Sequence, residues 1–405
     1  MDNSDRNNQV SWLLSPEAVR EQSGFLYNLA LKDNLQHFQY HPSILHDVAD
    51  LVADTTRNNY PDLQIPYHAR WRHFIIHDED RSQPIFEHFT GDPREKARSK
   101  VELAITSVLL DAGAGKNWFY RDTSTNLNFS RSEGLALASL NLFASGAFST
   151  NPNKPLQTDN ISNFTATQLA DAFQVSTSNP LDGLEGRANL LAKLGTTVLK
   201  NTNVFGKEKP RLGHLVDYLI KLSVDGQIPA KIILDTILRS LGDIWPGRIK
   251  LNGNNLGDCW HHPKAGKSKL VPFHKLSQWL TYSVVEPLSE LGLKVTNLDD
   301  LTGLAEYRNG GLFVDSGVLS LRDKTEVAQA LKPSHPLVVE WRALTICLLD
   351  QIAIMVRDRL NKTKDEMPLA AVLEGGTWSA GRLIAKQIRP DGTPPISIVS
   401  DGSVF

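Results

Sequence analysis

Between Val271 and Gly317 the chain gathers residues whose types could act on a small polar molecule. The stretch VPFHKLSQWLTYSVVEPL carries Lys275, and LTGLAEYRNGGLFVDSGVL carries Glu306, Arg308, Asn309 and Asp315. Bringing an ammonium, a guanidinium and two carboxylates together costs free energy unless they pair or meet a polar ligand. A carboxylate beside a reacting carbon can stabilise positive charge and activate water, while an ammonium suits a phosphate handle. On that chemistry the region is an active site. Spacing alone also fits surface charges or a structural ion pair, the commoner arrangement of such residues.

Helices must position these groups. Leu276, Trp279, Leu280, Val284 and Leu288 recur at three- and four-residue intervals, which predicts a helix packed along one face, with Lys275, Gln278 and Tyr282 on another. Pro287 is expected to kink or end it. Gly310 and Gly311 predict a sharp turn that presents their neighbours into a cleft. Downstream, SHPLVVEWRALTICLLDQIAIMVRDRL reads as a long helix with Val338, Trp341, Thr345, Leu348, Ile352 and Met355 inward, and Glu340 and Arg342 near its start. A carboxylate in a first helical turn is favoured by the dipole, so Glu340 has a structural reading too. Upstream, Ser15 and Pro16 open a helix, apolar spacing resumes after Ser43, and further helices are predicted from Glu95 to Leu110 and from near Ser130. The C-terminal segment combines a short helix with a β-type run, Ile396 to Val399.

At 405 residues the chain can bury a substantial core, as one large or two ordinary domains. A net charge of -2 offers no broad cationic surface for nucleic acid. Two cysteines, Cys259 and Cys347, are too few for a disulfide framework and suit a reducing cytosol. The start lacks a secretory signal, and no run is long enough to span a bilayer, so a cytoplasmic protein without membrane contact is expected. Gly113, Gly115 and Lys116 suggest a phosphate loop, but Leu110 and Asn117 stand where its glycine and hydroxyl belong. Asp258, Cys259, His261 and His262 crowd together without a zinc spacing; no metal and no cofactor is expected. Tyr67, His68, Arg70, Trp71, Arg72 and His73 form a polar, aromatic loop that fits either ligand binding or helix docking. Ser132, Glu133 and Gly134 fit the border of a cleft or ordinary core packing.

Nearly the whole chain resembles the fungal and bacterial uracil-catabolism family represented by the Urc and Urg proteins. The strings that carry the resemblance are YPDLQIPYHARWRHF, FSRSEGLA, NPLDGLEGRA, VPFHKLSQWLTYS, LTGLAEYRNGGL and EGGTWSAGR, in that order. That family is implied to act in a route from uracil through its ribonucleotide toward a ribosylurea compound and urea. A more distant resemblance, over residues 105 to 360, is to the queuosine-salvage N-glycosidases, whose helical fold is similar to that of the helix-hairpin-helix DNA glycosylases. FHKLSQ, AEYR, VVEWRA and NPLDGLEGRANLLAKLG carry it. It implies that Lys275 holds a substrate 5′-phosphate and that Glu306 occupies the catalytic carboxylate position, where that family has aspartate. The extra methylene carries the carboxylate further and alters the geometry of attack.

These resemblances imply a mainly α fold with a few short strands, arranged as an N-terminal helical scaffold (1–100), an N-glycosidase-like helical core in two lobes (101–360) and a C-terminal segment packed on that core (361–405). Catalytic candidates are Glu306 and, as a proton donor, Asp315; substrate-binding candidates are Lys275, Gln278, Tyr307, Arg308, Glu340 and Arg342. Arg308 would orient Glu306 or pair with Asp315 or Glu340, and Tyr307 would pack beneath the site. The expected activity is an N-ribosidase cleaving the C1′–N bond of a phosphorylated ribosyl compound, with ribosylurea phosphate as the candidate substrate. The alternative is a non-catalytic pyrimidine-nucleotide-binding protein that assists another enzyme. Oligomeric state has no sequence signal here.

Overall fold

Ser15 shows how local sequence sets the helix starts. Its Oγ accepts from the Ala18 backbone N–H at 3.2 Å, and Pro16 opens the helix Pro16–Leu31. The same logic places Asp92, whose carboxylate accepts from the Arg94 N–H, before Pro93–Leu109, while Ser130 precedes Arg131–Ala144 without a side-chain cap bond. The computed structural model describes residues 3–87, 89, 92–246 and 248–399; positions 400–405 of the C-terminal segment lie outside them. The architecture is mainly α, and every sheet among the described residues is two-stranded. None of the described helices is long and apolar enough to cross a membrane.

The chain divides into two units that interleave along the sequence. The first is built from the residues up to His68, from Arg248–Gln278 and from Asn297–Val399. Its centre is the helix Pro336–Leu360, which packs on Pro16–Leu31, Leu45–Asn59 and the helix Tyr307–Asp315. Tyr307–Asp315 also packs on Trp378–Ile388. Strand Phe38–Tyr40 pairs antiparallel with Leu319–Leu321, and Cys259–His261 pairs antiparallel with Leu270–Pro272. The expected β-type run near Ile396 is reduced to a single parallel bridge between Leu331 and Ile398.

The second unit takes in Ala69 onward to residue 246, and Trp279–Thr296. The helices Pro93–Leu109, Arg131–Ala144 and Leu184–Lys200 form its core. Its buried charges are bracketed. Glu102 accepts two bonds from Arg211, at 2.9 and 2.7 Å, and one from the Gly213 N–H at 2.8 Å. Arg187 donates to the carbonyls of Leu110, Ala112 and Gly113. The glycine loop that mimics a phosphate loop therefore turns carbonyls toward a cation.

Three expectations are corrected. Pro287 does not end the helix Lys275–Glu290, which continues past it. Proline at that position removes the donor that would meet the Ser283 carbonyl, and the Trp71 indole N–H supplies one instead at 2.7 Å. Nor is this helix two-faced, because every residue from Lys275 to Val285 is buried. Gly310 and Gly311 do not form a turn; both lie inside the helix Tyr307–Asp315. A Cβ on Gly310 would sit 2.7 Å from the Trp341 indole, whose N–H donates to the Gly310 carbonyl at 2.9 Å. Close approach, not backbone freedom, requires the glycine. Gly310→Ala should therefore cost about 2 kcal/mol of stability by overpacking, read as a lower denaturant midpoint; an unchanged midpoint would contradict this packing.

Candidate functional site

Glu306 stands at the N-cap of Tyr307–Asp315 with extended backbone. Its two carboxylate oxygens accept from the backbone N–H groups of Arg308 at 2.7 Å and Asn309 at 2.6 Å. A helix N-terminus favours negative charge, so the sequence folds here in the way a buried carboxylate needs. The residue is only 6% exposed. Burial pushes its carboxyl above the usual carboxylate range, while the Arg308 N–H, the Lys275 charge, the Asn309 N–H and the His68 charge pull it back. The structure thus brings Lys275 and Glu306 within electrostatic reach of one another, in the same unit.

Lys275 is the first residue of its helix and is likewise buried. Its backbone N–H donates to Asp258 at 3.0 Å, and the Asp258 carbonyl accepts from Phe273 at 2.9 Å. His274, just before it, has φ of +50°, an unusual conformation for a residue with a Cβ. Its imidazole lies against the Leu13 carbonyl at 2.8 Å, and burial lowers its proton affinity.

Arg342 ties the two sides together. Its guanidinium makes a fork with Asp258, Nη1–Oδ1 2.7 Å and Nη2–Oδ2 2.8 Å, and its Nε donates to the Ala305 carbonyl at 3.2 Å. It therefore connects the carboxylate that holds the Lys275 backbone to the residue preceding Glu306. It also stacks over Phe273 at 4.1 Å. Burial raises the Asp258 carboxyl, but Arg342, the Trp260 indole N–H and the Lys275 N–H outweigh it and hold the carboxyl well below the carboxylate range. Gln278 makes a parallel link: its Oε1 accepts from the Thr302 N–H at 2.7 Å and its Nε2 donates to the Phe273 carbonyl at 3.2 Å and to the Thr302 hydroxyl.

The remaining candidates are placed elsewhere. Asp315 ends the helix that Glu306 begins, about 13 Å further along at the helical rise, and pairs with Arg389 at 2.9 Å. Arg308 pairs with neither Asp315 nor Glu340: it donates to the Gly392 carbonyl at 2.7 Å and its guanidinium lies 5.1 Å from the Tyr307 ring. It meets Glu306 through its backbone N–H. Glu340 accepts from the backbone N–H groups of Gln36 at 3.3 Å and His37 at 3.1 Å, with His262 at 3.5 Å. Asp258, Cys259, His261 and His262 do not converge on a metal; among the described residues no group of three or more His, Cys, Asp or Glu side chains is arranged to hold one.

A second array reaches Glu306 from segments on which the sequence reading placed no catalytic role. The strings YPDLQIPYHARWRHF and EGGTWSAGR meet where His68 Nδ1 lies 2.7 Å from Glu374 Oε2. Tyr60 donates to the other Glu374 oxygen at 3.2 Å. Glu374 belongs to a π-helical turn, Leu373–Thr377, a wider winding that recurs at functional sites. Thr377 donates from that turn to Asn309 at 2.9 Å, three residues past Glu306. A Cβ on Gly376 would meet the Val52 carbonyl at 2.5 Å, so the glycine pair lets the turn close on Leu45–Asn59.

The two arrays draw on residues from Tyr60 to Thr377, and similarity to known proteins spans them all. A family model described as "Protein of unknown function (DUF1688)" matches residues 12–405. The chain belongs to that family. It is similar to "Protein urg3" of Schizosaccharomyces pombe, 39% identical over 410 residues covering 98% of this chain and 99% of that protein. It is also similar to "Uracil catabolism protein 4" of Lachancea kluyveri, 38% identical over 440 residues covering 98% and 99%.

The raised Glu306 carboxyl has a definite linkage sign. In the window from its ordinary value of 4.5 up to its folded value, the native state binds more protons than the unfolded one, so this group's contribution grows as pH falls. The stability of the wild type relative to Glu306→Gln should therefore improve on going from neutral pH toward about pH 5, measured by urea titration. A difference that worsens over that interval would contradict the burial argument.

Proposed function

We propose that this protein takes part in uracil catabolism as an N-ribosidase that cleaves the C1′–N bond of a phosphorylated ribosyl compound, with ribosylurea phosphate as the substrate. The observation that carries the reading is the buried Glu306 carboxylate, raised in proton affinity and electrostatically coupled to Lys275. The full-length similarity to a protein named for uracil catabolism supports the pathway.

In this reading the ammonium of Lys275 binds the 5′-phosphate, and binding energy gathered there positions the anomeric carbon. As the C1′–N bond lengthens, positive charge develops on the sugar. The Glu306 carboxylate stabilises it and takes a proton from the attacking water. Burial strengthens both effects, since a carboxylate shielded from solvent is a better base and acts through a lower dielectric. Water adds its oxygen to C1′, and the ureido nitrogen leaves as urea once it has gained a proton. Arg342, Asp258 and Gln278 serve as brackets that hold the two reacting side chains in register.

One observation favours a second reading. Both oxygens of Glu306 already accept backbone N–H groups, as a purely structural cap would, and a pyrimidine-nucleotide-binding role without catalysis is compatible with that. Incubation of the purified protein with ribosylurea phosphate and, separately, uridine monophosphate, with detection of ribose 5-phosphate, separates the two. The enzyme reading predicts release from ribosylurea phosphate and at least a hundredfold loss in Glu306→Gln, on the order expected for a base. Near-normal turnover by that variant would remove Glu306 from the chemistry. Lys275→Ala should weaken phosphorylated ligands selectively, leaving an unphosphorylated riboside little affected; equal losses for both would remove the phosphate role.

A further inference from the structure

Departure of a ureido or amide nitrogen requires a proton as well as a base, and the sequence offered Asp315 for it. That carboxylate is tied to Arg389 at the far end of the helix that Glu306 starts. A different donor is on hand. We propose that His68, held by Glu374, delivers the proton to the departing nitrogen. The inference rests on the N-ribosidase reading and names its missing acid.

The geometry is that of an oriented imidazole. His68 Nδ1 sits 2.7 Å from Glu374 Oε2, so its N–H donates to the carboxylate and directs the other ring nitrogen, Nε2, away from it. Glu374 is itself fixed by the Tyr60 hydroxyl and by its place in the π-helical turn. The His68 backbone N–H donates to the Ala370 carbonyl at 2.9 Å, which locks the ring's base to the same segment, and the ring lies 6.4 Å from that of Trp378. Of the charged groups nearby, Glu374 pairs with His68, Glu306 feels the His68 charge, and Arg382 lies 5.6 Å from the Trp378 ring that His68 also contacts. The imidazolium is the form of the ring that has a proton to give. Thr377, in the same π-helical turn as Glu374, donates to Asn309 at 2.9 Å, and the Asn309 N–H donates to Glu306 at 2.6 Å, so the turn that holds His68 is bonded to the helix start that holds the base.

The step balances without a further reactant. The C1′–N bond breaks, its electron pair going to nitrogen, which takes the Nε2 proton of the imidazolium. Water forms the C1′–O bond and yields its proton to Glu306. Transfer of that proton to solvent and recharging of His68 restore both groups.

The test uses the full chain with two substrates: ribosylurea phosphate, whose nitrogen must be protonated, and a nitrophenyl riboside 5-phosphate, whose leaving group departs as an anion. His68→Gln should lose about a hundredfold or more in kcat on the first and far less on the second. Glu374→Gln, which keeps the imidazole, should show the same selectivity in milder form and move the alkaline limb of the ribosylurea phosphate pH profile to lower pH. Equal losses on both substrates, or an unmoved alkaline limb, would overturn the assignment of His68. Glu306→Gln should lose both activities; if it retained them while the His68 split persisted, the base would be wrong and the acid right. A wild-type protein that cleaves neither substrate would overturn both.

Discussion

The ion pair between Arg342 and Asp258 is the constraint on which the site depends. The Asp258 side chain is only 12% exposed, accepts from the Trp260 indole, the Lys275 backbone and the Arg342 fork, and so anchors the first N–H of the Lys275 helix. Arg342 reaches on to the carbonyl just before Glu306. Lys275 and Glu306 belong to separate segments, and the fork between Arg342 and Asp258, supported by Gln278 and Thr302, ties them into one arrangement. Removing Asp258 would strand the buried Arg342 charge, which costs several kcal/mol.

Around that constraint the molecule places its irregular features where charge must be held. The π-helical turn at Leu373–Thr377, the positive φ of His274 and the proline-containing helix Lys275–Glu290 each depart from regular structure. Each departure is offset by a specific partner. Trp71 satisfies the carbonyl that Pro287 leaves, Leu13 receives the His274 ring, and Thr377 bonds Asn309. Backbone strain and deficit of this kind persist where the surroundings over-determine them.

The mainly α architecture was legible because apolar spacing and capping residues report directly on helices. Ser15 with Pro16 opens its helix, and Val338, Trp341, Thr345, Leu348 and Ile352 of Pro336–Leu360 are buried as their spacing demands, although Met355 is half-buried and residues 337–346 are buried all round. Glycine was misleading. Gly310 and Gly311 read as a turn, since a glycine pair gives no sign of whether it is chosen for φ or for a neighbour's indole. Gln278, Glu340 and Arg342 stood out as polar residues near reactive ones, and their bonds turn inward to the scaffold. A side chain's partners depend on tertiary contacts that spacing does not encode. The same reason hid the meeting of His68 with Glu374, which lie at opposite ends of the chain.

Whether the proposed reaction breaks the bond between the sugar and nitrogen is decided by following the ureido carbon. Ribosylurea phosphate labelled with carbon-13 at that carbon, incubated with the protein and followed by NMR, should give intact labelled urea together with the anomeric signals of ribose 5-phosphate. Label appearing as carbonate with the sugar–nitrogen bond still closed, or no conversion at all, would contradict the account.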